Sequence, residues 1–135
     1  MTICLAYAPT APGRAALAYC AAEAAARGSE VLVVNVTRDR SDGAPLPLSP
    51  DEAQELAAGL GDLTWRLYDG PHGLSGADEV LTAVEEENAE LVVIGVTGRS
   101  HVQKRIVSST TRQVLLDAPC DVLAVRADHP LPRSA

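Results

Sequence analysis

Aromatic side chains are scarce in this 135-residue chain: one Trp, three Tyr and no Phe, together 3% of residues. A nucleic-acid module built on stacking platforms is therefore not expected, because there is little on which a base can stack. Positive charge is short as well. Eighteen acidic residues against eleven Lys and Arg leave a formal net charge of −7, so a phosphodiester backbone is repelled on average. No apolar run approaches the ~20 residues of a membrane-spanning helix, and no basic stretch precedes a signal-type core at the amino terminus. A cytoplasmic protein without membrane or nucleic-acid partners is expected. Cysteines number three, an odd count with no C-x-x-C spacing, which indicates neither a disulfide framework nor a zinc site. Cys4, Cys20 and Cys120 are expected as small core residues.

What is present is globular. Hydrophobic residues make up 47% and charged residues 21%, and the length suits one domain, taken as residues 1–126 with a loosely ordered tail over 127–135. Ile3-Cys4-Leu5-Ala6-Tyr7 reads as a strand covered on both faces. Pro12 opens an alanine-rich helix over 12–27 that Gly28 closes. Residues 31–36 form a second strand, and 37–48, with Gly43, Pro45 and Pro47, an exposed loop. Ser49-Pro50-Asp51-Glu52 is a capping box that starts a helix ending near Gly59 or Gly61. A weaker strand is expected over Leu63–Tyr68, then a turn, then a helix capped by Ser75 and running to about Asn88. Leu91–Ile94 is the fourth strand, ending at Gly95. A helix over 109–117 is broken by Pro119, and Val122–Val125 is the fifth strand. Strands alternating with helices at this spacing predict an α/β fold, a single-domain open parallel five-stranded sheet with helices on both faces. Ligands bind such sheets beyond the carboxyl ends of the strands.

The chemistry concentrates after the fourth strand. Gly95-Val96-Thr97-Gly98-Arg99-Ser100 permits a tight turn and close backbone approach, and Ser108-Ser109-Thr110-Thr111 then opens a helix whose free amides favour an anion. Residues 91–116 carry Arg99, Lys104, Arg105 and Arg112 and no acid, a charge of +4, which leaves −11 for the remainder of a chain whose net charge is −7. A basic island over a glycine turn and a helix start has the character of a phosphate site. The same residues also serve as turn and cap chemistry alone, with the bases solvated.

Gly95-x-x-Gly98, nine residues, then Ser108-Ser109 resembles the G-x-x-G, nine residues, G-[S/T] pattern of the universal stress protein family. The resemblance covers nearly the whole chain, including the closing Ala118-Pro119-Cys120-Asp121-Val122-Leu123-Ala124-Val125. It implies strand order 3-2-1-4-5, an adenine nucleotide alpha hydrolase-like sheet, and a regulatory or sensing domain that binds ATP. By carry-over, the main chain near Val36 faces adenine, Gly95, Gly98 and Arg99 lie along the phosphates, and Ser108, Ser109 and Thr110 donate to phosphate or ribose oxygens. Two departures imply weak binding. Ser108 replaces the third glycine, so a Cβ meets any close approach or positive φ. Ala8 stands where ATP-binding members carry an aspartate toward the nucleoside, a lost charge-assisted bond of about 1.5–3 kcal/mol, or roughly one to two decades in affinity.

No general base or metal carboxylate stands beside the phosphate loop, so neither catalytic residues nor a metal are assigned and any ATP hydrolysis is expected to be slow. The alternative within the family is a nucleotide-independent homodimeric interaction protein. Gly98-Arg99-Ser100-His101-Val102 resembles part of a nucleophile elbow, with Asp117 or Asp121 and then His129 in hydrolase order, but the final glycine and a glycine-rich oxyanion loop are missing. The acids Asp78, Glu79, Glu85, Glu86, Glu87 and Glu90 read as a solvated helix face rather than a cation site. Val122, Leu123, Ala124 and Val125, apolar throughout, form an edge strand in the family's order, and the resemblance implies a homodimer by antiparallel pairing of this strand with its copy.

Overall fold

The computed structural model describes residues 1–38, 46–70, 75–96 and 108–127. Among these, the elements in chain order are β1 (Thr2–Tyr7), α1 (Ala11–Arg27), β2 (Glu30–Asn35), α2 (Pro50–Leu60), β3 (Trp65–Leu67), α3 (Gly76–Glu87), β4 (Leu91–Val96), α4 (Ser109–Asp117) and β5 (Asp121–Arg126). The strands form one parallel sheet, as their alternation with helices predicts, in the order β3-β2-β1-β4-β5 that the family resemblance implies.

Local chemistry places the helix ends. Thr10 accepts from the Gly13 amide to start α1, and Gly28 closes that helix in the left-handed region. Ser49 and Glu52 form the reciprocal capping box of α2. Ser75 caps α3, and Asn88 ends it at φ 55°. The third strand is shorter than the expected 63–68 because, at the sheet edge, only β2 is there to hold it. Its hydrogen bonds still run one residue past each end, from Val31 to the Thr64 carbonyl and from Tyr68 to that of Val33.

Alternation along the strands divides the core in two. Ile3, Leu5, Tyr7, Val31, Val33 and Val93 face α1 and α2; Cys4, Ala6, Leu32, Val34, Val92 and Ile94 face α3 and α4. Each fully buried aliphatic side chain contributes about 1.5–3 kcal/mol. In α1 the buried stripe is Gly13, Ala16, Leu17, Cys20 and Ala24, so small side chains bring that helix close across β1, β4 and β5. Because β1 lies in the middle, with β2 on one side and β4 on the other, connections leave it in opposite directions and open a crevice at the carboxyl ends of β1 and β4.

Of the three cysteines, Cys4 and Cys20 are fully buried as expected, whereas Cys120, ahead of β5, is half-buried. Burial raises the Cys20 thiol from 9.0 to about 12, and raises Cys4 and Cys120 as well. Burial and the bond to Glu86 push the Tyr68 hydroxyl from 10.0 up to about 12. The folded chain holds these protons where the unfolded chain has released them, so stability falls as pH rises from about 9 to about 12. Urea midpoints measured across that range should decline steadily. At neutral pH a thiol reagent should label Cys120 slowly, and Cys4 and Cys20 only after unfolding.

Candidate functional site

The crevice at the switch point measures about 170 Å³. Ala6 and Ala8 come from β1 and its exit, Thr10, Pro12 and Gly13 from the start of α1, and Val36 from the exit of β2. Ile94 and Gly95 of β4 and Ser108, Thr110 and Thr111 at the start of α4 complete the lining. Of the positions assigned from sequence, the fold therefore gathers Val36, Gly95, Ser108 and Thr110 around one opening. Ser109 lines a separate depression with Arg112, Gln113 and Leu116. Gly98 and Arg99 lie outside the described residues, as do Ser100, His101 and His129.

None of the described lining side chains carries a formal charge, yet two helix N-termini converge there. The first turns of α1 and α4 contain no acidic residue. Those of α2 and α3, which contribute no residue to the lining, carry Asp51 and Glu52, and Asp78 and Glu79. The positive ends of two helix dipoles are thus compensated where they do not face the crevice and left uncompensated where they do, an arrangement that suits an anion.

Small residues and one hydroxyl relay hold the opening in shape. A β-carbon on Gly95 would stand 2.5 Å from the Pro12 carbonyl oxygen, and one on Gly13 1.8 Å from that of Ala8. At Gly95, where the sequence suggests room for a ligand against the backbone, the first turn of α1 occupies the space of the missing side chain. Thr111, expected only as part of the hydroxyl run that opens the helix, is buried and donates to the Gly95 carbonyl at 3.0 Å while accepting from Ser108 Oγ at 3.1 Å. Ser108 also accepts from the Thr111 amide at 3.2 Å, so it serves as the N-cap of α4. Its φ is −58°, so replacement of the family's glycine imposes no positive φ here.

Other candidates fare differently. Asp121 opens β5 at the amino end of the sheet, about 16 Å along the strand from its carboxyl end, and Asp117 ends α4 away from the crevice. The acidic helix face is not simply solvated. Glu79 is buried and pairs with Arg38 at 2.5 Å, Glu86 accepts from Tyr68 at 2.7 Å, Glu87 pairs with Arg66, and Glu90 accepts from Ser29 at 2.7 Å. Only Glu79 is drawn in by its partner; Glu85 and Glu86 stay exposed, as expected of a solvated face, and Glu87 and Glu90 are half-buried. No cluster of three metal-ligating side chains forms among the described residues.

Comparison with known proteins follows the same lines. The universal stress protein family model matches residues 72–126. A universal stress protein of Mycolicibacterium smegmatis is 33% identical over 116 residues, covering 84% of this chain and 88% of its own. The universal stress protein in the QAH/OAS sulfhydrylase 3' region of Thermus aquaticus is 33% identical over 134 residues, 93% of this chain and 98% of its own. Among solved structures, a universal stress protein from Archaeoglobus fulgidus has a TM-score of 0.69 at 19% identity, covering 92% of this chain and 96% of that one. A universal stress protein in complex with cAMP has a TM-score of 0.61 at 18% identity, with coverage of 95% and 98%. One from A. fulgidus in complex with dAMP has 0.59 at 16%, with 92% and 95%. At these identities the structural likeness is one of fold.

Gly95→Ala should cost about 1–3 kcal/mol, since neither the Pro12 carbonyl nor the strand can give way cheaply. Thr111→Val should cost a similar amount by orphaning the Gly95 carbonyl and the Ser108 hydroxyl, and Thr111→Ser much less. Urea unfolding midpoints of the three variants check this ordering.

Proposed function

This chain belongs to the universal stress protein family, and from that premise we propose that it is a regulatory or sensing domain whose crevice takes an adenine nucleotide, ATP, through its phosphates and base. The observation that carries the reading is the meeting of two acid-free helix N-termini at one uncharged opening, beside Val36 and Gly95. Phosphate oxygens would accept from amides at the start of α4 and from the Thr110 and Ser108 hydroxyls, with the +4 charge of residues 91–116 drawing the anion to an otherwise acidic chain. The base would lie toward the main chain of Val36. Relatives solved with cAMP and with dAMP support an adenine ring over other bases. Ala8 offers no carboxylate to the nucleoside, so affinity is expected to be lower by roughly one to two decades than with one. The role is binding, and hydrolysis is slow, because no described lining residue can act as a general base.

A second copy is proposed as partner. β5 pairs only with β4, leaving its other edge open among the described residues. Val122 and Leu123 are half-buried, Ala124 is exposed, and Val125 is buried. Tyr19 of α1 forms a groove of about 200 Å³ with Leu123, Ala124 and Val125. Antiparallel pairing of β5 with its copy would satisfy this edge. The same surface would serve a nucleotide-independent interaction protein, the reading that the missing carboxylate at Ala8 favours.

Titration calorimetry with ATP separates the two. Wild type should bind, and Thr110→Glu, which puts a carboxylate in the mouth of the crevice, should weaken binding at least about tenfold. Equal affinity in both would rule out this site, and no wild-type binding would leave the interaction reading. Light scattering should report twice the chain mass, and Ala124→Lys, which sets like charges across the two-fold axis, should shift it toward monomer.

A further inference from the structure

A buried carboxylate and a largely covered guanidinium meet where the chain leaves β2. Arg38 is 12% exposed, Glu79 is 2% exposed, and they meet at 2.5 Å. Removing both from water is costly and is offset only by good geometry and further hydrogen bonds. Those bonds are present. Nη1 of the same guanidinium donates to the carbonyl oxygens of Asn35 at 2.9 Å and Thr37 at 3.1 Å. Arg38 thus closes the chain on its own preceding residues, and the Asn35 side chain tightens the loop by accepting from the Thr37 amide at 3.0 Å. Glu79 then ties the closed segment to the first turn of α3. In the same first turn, Gly76 lies so near Val36 that a β-carbon would stand 3.0 Å from its carbonyl oxygen and 3.2 Å from its Cβ.

Val36 sits inside this frame. Its amide donates to the Tyr7 carbonyl at 3.0 Å, which extends the β1–β2 ladder beyond the end of β2. The carbonyls of Asn35 and Thr37 are turned to Arg38, the Val36 carbonyl lies beside Gly76 at the start of α3, and Val36 lines the crevice. A larger cavity of about 420 Å³ lies on the far side of the segment. The polar groups of Asn35, Tyr68 and Glu79 in its wall are engaged within the chain, so they leave no set of groups that would specify a ligand.

We propose that the Arg38–Glu79 pair is the positioning element of the base end of the crevice: by clamping residues 35–38 onto α3 it fixes the polar main chain at Val36, and with it the choice of base. The inference rests on the nucleotide reading above, and both side chains act through Val36.

Glu79→Gln keeps the side-chain size and one hydrogen bond while removing the charge. The double variant Arg38→Met/Glu79→Leu removes the pair without orphaning either ion, and serves where the single variant fails to fold. Each is titrated with ATP, GTP and inorganic tripolyphosphate, and hydrogen exchange is followed at the Val36 amide. The preference for ATP over GTP should fall at least about fivefold, tripolyphosphate affinity should stay within about twofold, and Val36 should exchange faster. An unchanged ATP-to-GTP ratio in a folded variant overturns the positioning role and leaves the nucleotide reading standing. Equal loss of ATP and tripolyphosphate also overturns it, since the pair then supports only the fold. A wild type that binds no nucleotide removes the reading itself, and this inference with it.

Discussion

The contact between the first turn of α1 and the end of β4 governs most of what lies around it. The Pro12 carbonyl rests where a side chain at residue 95 would otherwise project, and Gly13 lies in the same way against the Ala8 carbonyl. With both side chains absent, a helix whose buried face is mostly alanine settles low across the middle of the sheet. Its N-terminus is thereby brought to the same opening as that of α4, which the Ser108–Thr111–Gly95 relay ties to β4 from the other face. Lift α1 by one methyl group and the two dipoles no longer address a common point.

The distribution of acid along the chain follows from this meeting. Carboxylates at the starts of α2 and α3 stabilise those helices by the ordinary capping and dipole terms. The same substitutions at the starts of α1 and α4 would improve each helix and neutralise the crevice. The chain forgoes that local gain only where the two helices converge. The crevice is therefore described as much by the acids withheld from it as by the residues that line it.

Legibility from sequence tracks the range of the interactions. The capping box at Ser49 and Glu52, the ends at Gly28 and Asn88, and the bounds of α4 rest on contacts within one or two turns and are readable in the string. The strand order came from family resemblance together with the alternation of elements, and the sheet carries it. Val36, Gly95, Ser108 and Thr110 do converge, while Ser109 turns to another surface. What escaped is long-range. Glu79 looks like one more solvated acid until Arg38, 41 residues earlier, is seen beside it. Gly95 looks like a turn residue until the Pro12 carbonyl occupies its missing side chain. Thr111 has no periodicity to mark it, because its function is a bond to a strand 16 residues away.

The two rims of the sheet are unequal. β3 has three residues, with Arg66 at its centre paired to Glu87, whereas β5 has six and only Asp121 and Arg126 at its ends are charged. A copy that adds along β5 therefore turns the abbreviated, charged rim outward and offers no second strand of comparable length for a third copy. Were two copies to pair along β5, growth of the sheet would be self-limiting, closing at a pair rather than running on into a fibre.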